Sequence, residues 1–154
     1  MLITHITKSA KDTQKLGENL AKEILLSRTS QKTVASARGF GEPKATVLAL
    51  RGNLGAGKTT FLQGFAIGLG IKEKVLSPTY VVMKHFNIFY HFDCYRLKDE
   101  KDVLELGWKE IISNPKNIVA IEWPERIKKA LPKNIIKINF KTLTENKREI
   151  KLKA

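Results

Sequence analysis

Apolar residues along this chain fall in short blocks whose period switches between two and nearly four. Residues 1–7 alternate, Leu2, Thr4 and Ile6 against Ile3 and His5, which predicts a short strand. Ser9-Ala10-Lys11-Asp12 then reads as a capping box, with Ser9 at the N-cap and Asp12 at the third helical position. The helix behind it is predicted to bury Leu16, Leu20 and Ile24, with Ala21 and Leu25 widening the stripe and Gly17 beside it allowing close packing. Residues 27–44 are polar and hold Gly39, Gly41 and Pro43, so they read as a surface loop of unusual length. Thr46-Val47-Leu48-Ala49-Leu50 is an unbroken apolar run, the mark of a central parallel strand covered on both faces. Phe61, Leu62, Phe65 and Leu69 recur at helical spacing up to Gly68-Leu69-Gly70.

The second half continues the alternation. Residues 81–86 and 88–93 predict two strands around Asn87. Leu97-Lys98-Asp99-Glu100 opens a helix carrying Val103, Leu104 and Leu106, and a second short helix, 108–112, follows Gly107. Ile118-Val119-Ala120-Ile121-Glu122 is a buried strand that ends in an acid. A short helix at 124–127 and a hairpin of 135–140 with 148–152 complete the chain. The predicted fold is α/β, a three-layer fold like that of the P-loop NTPases, with a mostly parallel central sheet and antiparallel hairpins, in one domain spanning 1–154.

Composition narrows this picture little. A 42% hydrophobic and 28% charged content is ordinary for a globular domain. With no membrane-length apolar run, no signal-peptide core and a single cysteine, Cys94, a cytoplasmic protein without membrane association is the expectation. Charge is less ordinary. The net value is +13, and the excess is +6 over residues 1–70, 0 over 71–124 and +7 over 125–154. Both a polyanionic partner and simple solvation by scattered lysines account for it. Aromatic residues are not interleaved with the terminal lysines, which argues against a base-stacking platform.

The chemistry centres on Gly52-Asn53-Leu54-Gly55-Ala56-Gly57-Lys58-Thr59, followed by Thr60, which satisfies G-x-x-x-x-G-K-S/T between a strand and a helix. Glycines let such a loop curl against a phosphate, and backbone N–H groups at the following helix start complete an anion site. Lys58 is expected on the β- and γ-phosphates and the Thr59 hydroxyl on magnesium. Glu122 is a second candidate magnesium ligand; alternatively it is an acid at a helix N-terminus before Pro124. His91 and Asp93 share one strand face, so Asp93 is a candidate to polarise water or support magnesium, with His91 orienting it. Trp123 either flanks the pocket or fills the core. Arg96 either neutralises phosphate or pairs with an acid. Ser77-Pro78-Thr79-Tyr80 fits either a segment sensing the γ-phosphate or a turn.

Four motifs in order, Gly-Asn-Leu-Gly-Ala-Gly-Lys-Thr-Thr, Ser-Pro-Thr-Tyr, His-Phe-Asp-Cys-Tyr-Arg-Leu and Ile-Glu-Trp-Pro-Glu, resemble the TsaE (YjeE) family of bacterial ATPases. The resemblance extends to Thr13-Gln14-Lys15-Leu16-Gly17, to Glu105-Leu106-Gly107 and to the strand containing Arg148. It implies an ATP- and Mg2+-dependent protein of tRNA threonylcarbamoyladenosine modification, acting on a TsaB–TsaD pair that performs the transfer and meeting tRNA through that complex. It further implies that Asp93 is needed for hydrolysis, that Lys58, Thr59 and Glu122 hold phosphate and metal, and that Lys11 and Arg148 flank adenine. Asn53 departs from the family, which usually carries an acid there, and residues 27–44 exceed the length expected of it. Two other readings compete: a small metabolite kinase, for which no arginine cluster follows the loop helix, and a basic RNA-binding module with a regulatory nucleotide site.

Overall fold

The computed structural model describes residues 1–34, 44–76 and 81–154, the side chains of 31–34 excepted. Its frame is a seven-stranded sheet in which β2 (Thr46–Arg51) pairs in parallel with both β5 (Ile118–Glu122) and β6 (Ile136–Thr142). Beyond β5, β4 (Phe89–Asp93) is parallel and β3 (Met83–Phe86) antiparallel, joined by a turn in which Asn87 takes φ 53°. On the other side β7 (Arg148–Lys153) folds back on β6, and β1 (Leu2–Thr7) forms the outer strand. The order is β1-β7-β6-β2-β5-β4-β3. The parallel strands thus occupy the centre and the antiparallel pairs the edges, as the sequence predicts.

Helices cover both faces. On one lie α1 (Ala10–Val34) and α2 (Lys58–Gly68), packed on Leu48, Leu50, Ile138, Phe140 and Ile150. On the other lie α3 (Glu100–Leu104), α4 (Trp108–Ser113) and a 3₁₀ segment, Pro124–Ala130. There Val103, Trp108, Ile111 and Ile127 meet Val47, Val119 and Ile121. Side chains alternate along β2 so that neighbouring residues enter different cores, which explains its unbroken apolar run. Of the three residues expected to anchor α3, Val103 alone is buried, and Leu104 and Leu106 are exposed. No described helix is long and apolar enough to cross a membrane.

Two helical expectations need correction. The buried line of α1 runs through Thr13, Gly17, Ala21 and Ile24, while Leu16 and Leu20 flank it half-buried. The cause is the close approach of α2: a Cβ on Gly17 would lie 2.1 Å from the Phe61 carbonyl oxygen, and one on Gly64 1.8 Å from that of Gln14. Only small residues fit at that crossing. The helix also continues to Val34 through residues expected in a loop. Ser27, Thr29 and Ser30 donate their hydroxyls back to the Ile24 and Leu26 carbonyls, so their polar groups are satisfied within the helix. Arg28 ties this stretch to the sheet through the Thr46 hydroxyl and the carbonyls of Lys116 and Asn117. The remainder of the expected loop, 35–43, lies outside the described residues, as does Ser77-Pro78-Thr79-Tyr80.

Gly64→Ala is therefore expected to force α1 and α2 apart and to cost about 1–3 kcal/mol of unfolding free energy or more, by urea denaturation followed by circular dichroism. A loss below about 0.5 kcal/mol would contradict the packing described.

Candidate functional site

The register of β2, β5 and β4 sets the site. Leu50 stands opposite Glu122, and Glu122 opposite Asp93, so both acids reach the carboxyl ends of their strands beside the loop that leaves β2. In that loop a Cβ on Gly52 would lie 2.9 Å from the Phe140 Cβ and carbonyl oxygen, so no larger residue fits. Gly57, at φ 100°, makes the turn into α2 in the left-handed region. It offers no side-chain cap, which leaves the first N–H groups of α2 to an outside acceptor.

Lys58 is folded back over the loop. Its ammonium donates to the carbonyls of Gly52 at 2.5 Å and Asn53 at 3.0 Å and lies 4.8 Å from the Trp123 ring centroid. Burial lowers its pKa, because the charged form loses water; the carboxylates of Glu122, Asp93 and Glu125 oppose the shift.

Glu122 is buried and accepts a hydrogen bond from Nε2 of His91 at 2.8 Å. His91 is fully buried, and its Nδ1 meets no partner among the described residues. His91 thus orients Glu122, whereas the sequence reading gave it Asp93. Asp93 stands opposite Glu122, two places along from His91, and its carboxylate turns to accept the Tyr95 N–H at 3.0 Å. Trp123 adopts φ 57°, a left-handed conformation that costs a bulky residue on the order of 1–3 kcal/mol. Its ring is held between the Lys58 ammonium and Tyr95, 5.0 Å away centroid to centroid.

Together these groups line a cleft of about 470 Å³. The loop from Leu54 to Gly57, with Lys58, Thr59 and Thr60, forms its floor, and Asp93, Tyr95, Arg96, Glu122 and Trp123 form one wall. Gly52 and Asn53 frame the loop from behind through their carbonyls on Lys58 and do not line the cleft. Arg148 does line it, and stitches the β6–β7 turn to the loop: it donates to the Gly55 carbonyl at 3.3 Å and to those of Thr144 and Glu145 at 2.9 Å. Lys11 is exposed and stays out of the cleft; Ser9, Ala10 and Thr13 line that side instead. Ser9 caps α1 through the Asp12 N–H at 3.0 Å, as the capping box predicts. Thr13 bonds Thr7 at 2.9 Å, and its place on the buried line of α1 is the signal that could have marked it. Glu145 and Asn146, also on the cleft, sit in a turn that no motif singles out.

A glycine loop joining a central parallel strand to a helix, with acids ending the neighbouring strands, belongs to an α/β fold whose single seven-stranded sheet is mostly parallel in the centre. Within that class, the family model described as threonylcarbamoyl adenosine biosynthesis protein TsaE matches residues 7–150. Proteins called tRNA threonylcarbamoyladenosine biosynthesis protein TsaE are similar. That of Treponema pallidum is 35% identical over 130 residues, 81% of this chain and 96% of its own length. That of Bacillus subtilis is 40% identical over 119 residues, 75% of this chain and 73% of its own. The crystal structure of Bacillus subtilis YdiB superposes with a TM-score of 0.73 at 29% identity, over 99% of this chain and 84% of that one. The chain belongs to the TsaE family, and its place is in tRNA threonylcarbamoyladenosine biosynthesis.

The His91–Glu122 bond predicts that Glu122→Ala, which leaves a buried ring nitrogen unpaired, lowers stability by about 1–3 kcal/mol in chemical denaturation. Glu122→Gln keeps an acceptor and should lose less than half of that; equal losses would contradict the bond. Next to Asp93, Cys94 is fully buried, and its thiol is pushed up to about 12 by burial first and then by the charges of Asp93, Glu125 and Glu122. Native protein at neutral pH should therefore resist iodoacetamide by mass spectrometry and label fully in denaturant, and rapid native labelling would refute that burial.

Proposed function

We propose that the cleft binds ATP with Mg2+ and hydrolyses it slowly, and that this cycle acts on a TsaB–TsaD pair to permit turnover of threonylcarbamoyl transfer to tRNA. The observation that carries this reading is the buried Lys58 ammonium at the glycine loop with Glu122 and Asp93 in register beside it. Lys58 exchanges the Gly52 and Asn53 carbonyls for phosphate oxygens, and the backbone that starts α2 receives the rest of the phosphate charge. Arriving phosphate favours the ammonium that burial disfavours.

The donor set fits Mg2+ as well. Among the described residues no cluster of three or more His, Cys, Asp or Glu side chains could hold a metal alone. A Thr59 hydroxyl and a Glu122 carboxylate acting with phosphate oxygens and water suit an ion that rarely sits in an all-protein cage. Bound there, Mg2+ supplies charge neutralisation on the phosphates. His91 fixes Glu122 in place, and Asp93, steered by the Tyr95 N–H, orients the attacking water. Ser9 and Thr13 line the cleft along with Asn146 and Arg148, and this part of it receives the base. Arg148 is committed to four backbone carbonyls, so it adds little to transition-state charge. Slow turnover alone and faster turnover with partners follow from that.

The test is ATP hydrolysis by the purified chain with and without TsaB–TsaD. Slow Mg2+-dependent turnover, raised by the pair, is expected. Asp93→Ala should retain ATP binding and lose about 10²-fold or more in rate, while Lys58→Ala should weaken ATP binding by roughly tenfold to a hundredfold. Absence of Mg2+-dependent ATP binding would sink the nucleotide reading; a rate indifferent to the pair would sink the partner reading alone.

A further inference from the structure

The layer formed by α3, α4 and the 3₁₀ segment stops at β2: none of the residues in its core comes from β1, β6 or β7. Strands β6 and β7 bury their other side on α1 and α2 through Ile138, Phe140, Ile150 and Leu152. Alternation then sends Lys137, Lys141, Lys151 and Lys153 to the opposite face, on which none of the described helices packs. The one acid on β6 or β7 is Glu149, which pairs with Lys151 at 3.1 Å and stands opposite Lys141. Lys137 and Lys153 stand directly opposite each other in the register with no acid between them. Such like-charged cross-strand pairs destabilise a sheet, so solvation alone does not account for the placement.

A second feature adjoins it. At the end of β2 away from the cleft, a pocket of about 470 Å³ has an apolar floor of Ala45, Val47, Ile135 and Ile136, with Lys133, Lys137 and Lys153 around it beside Thr46, Asn134 and Ala154 and no Asp or Glu side chain. Lysines line the pocket and continue from it across the sheet face. A row of lysines with no aromatic side chain among them fits a phosphate backbone and does not fit stacked single-stranded bases.

We propose that the lysine-bearing face of β6 and β7, with its adjoining pocket, docks the phosphate backbone of folded RNA. Family membership makes a tRNA the natural source of that backbone. Contacts of this kind are independent of base sequence and fall steeply with salt.

The test is fluorescence anisotropy of a labelled, unmodified tRNA transcript with the full chain over a series of salt concentrations. The triple variant Lys137→Ala, Lys151→Ala, Lys153→Ala is compared with a control of equal charge change, Lys72→Ala, Lys101→Ala, Lys109→Ala. The face variant is expected to bind at least tenfold more weakly and to reduce the log–log salt slope by about 2 to 3, the control to change both little. The face variant should melt at the same temperature or higher, because a repulsive pair is gone. Undetectable or salt-insensitive binding by the unaltered chain overturns the proposal, and so does an equal loss in both variants. Polyglutamate bound as tightly as tRNA, with the same loss in the face variant, would reassign the surface to an acidic protein.

Discussion

The parallel register of β2 with β5 and β5 with β4 is the constraint on which the rest of the structure depends. Because Leu50, Glu122 and Asp93 lie in one line across three strands, the loop leaving β2 emerges beside two carboxylates. A slip of one residue would turn Glu122 into the opposite core and break its bond to His91. Strand pairing, an element of fold, thereby positions chemistry without any contact made for that purpose. The helices follow the same logic: α2 begins where the glycine loop ends, and α1 must lie close against α2 for its N-terminus to wall the cleft.

Electrostatics within that frame are balanced around Lys58. A buried ammonium without partners would be costly. Here two loop carbonyls, the face of Trp123 and three nearby carboxylates hold it. The strained backbone at Trp123 is part of this arrangement, since a left-handed residue directly after Glu122 swings the indole back over the loop. Strain at that position makes sense as the cost of holding the indole against the Lys58 ammonium. Arg148 plays a different part from the one its charge suggests. It fastens a turn to a loop, and its Nε stays buried without a partner among the described residues.

What could be read from the sequence was local or periodic. The glycine loop, the apolar run ending in Glu122, the His91–Asp93 spacing and the alternation of strands and helices all lie within short windows where side-chain period and backbone demands are explicit. What could not be read depended on partners distant in the chain. His91 reaches Glu122, thirty-one residues away. Lys11 was implied by family resemblance alone, at the start of the first helix, yet Ser9 and Thr13 line the cleft and Lys11 is exposed outside it. The end of α1 was obscured by composition, since hydroxyls that bond back to helix carbonyls resemble loop residues in a sequence. The lysine-bearing sheet face was visible only as an excess of charge, because its pattern appears when β6 and β7 are set side by side.

The β6–β7 hairpin connects the two ends of the molecule. At one end Lys137 and Lys153 edge the basic pocket. At the other, Phe140 presses on Gly52, and Arg148 reaches the Gly55 carbonyl. The loop is therefore shaped from behind by a hairpin whose far end is a charged surface. Gly52 has no room to move toward β6, and Gly55 is held from above the turn, so the conformation of the loop is a property of the hairpin as much as of its own glycines. Packed contacts of this kind transmit displacement because interiors are dense and do not deform smoothly. That is a physical reason for β6 to join β2 at this edge with β7 folded back on it: β2, β5 and β4 alone would present the acids, but the loop facing them would lack the support of Phe140 and Arg148.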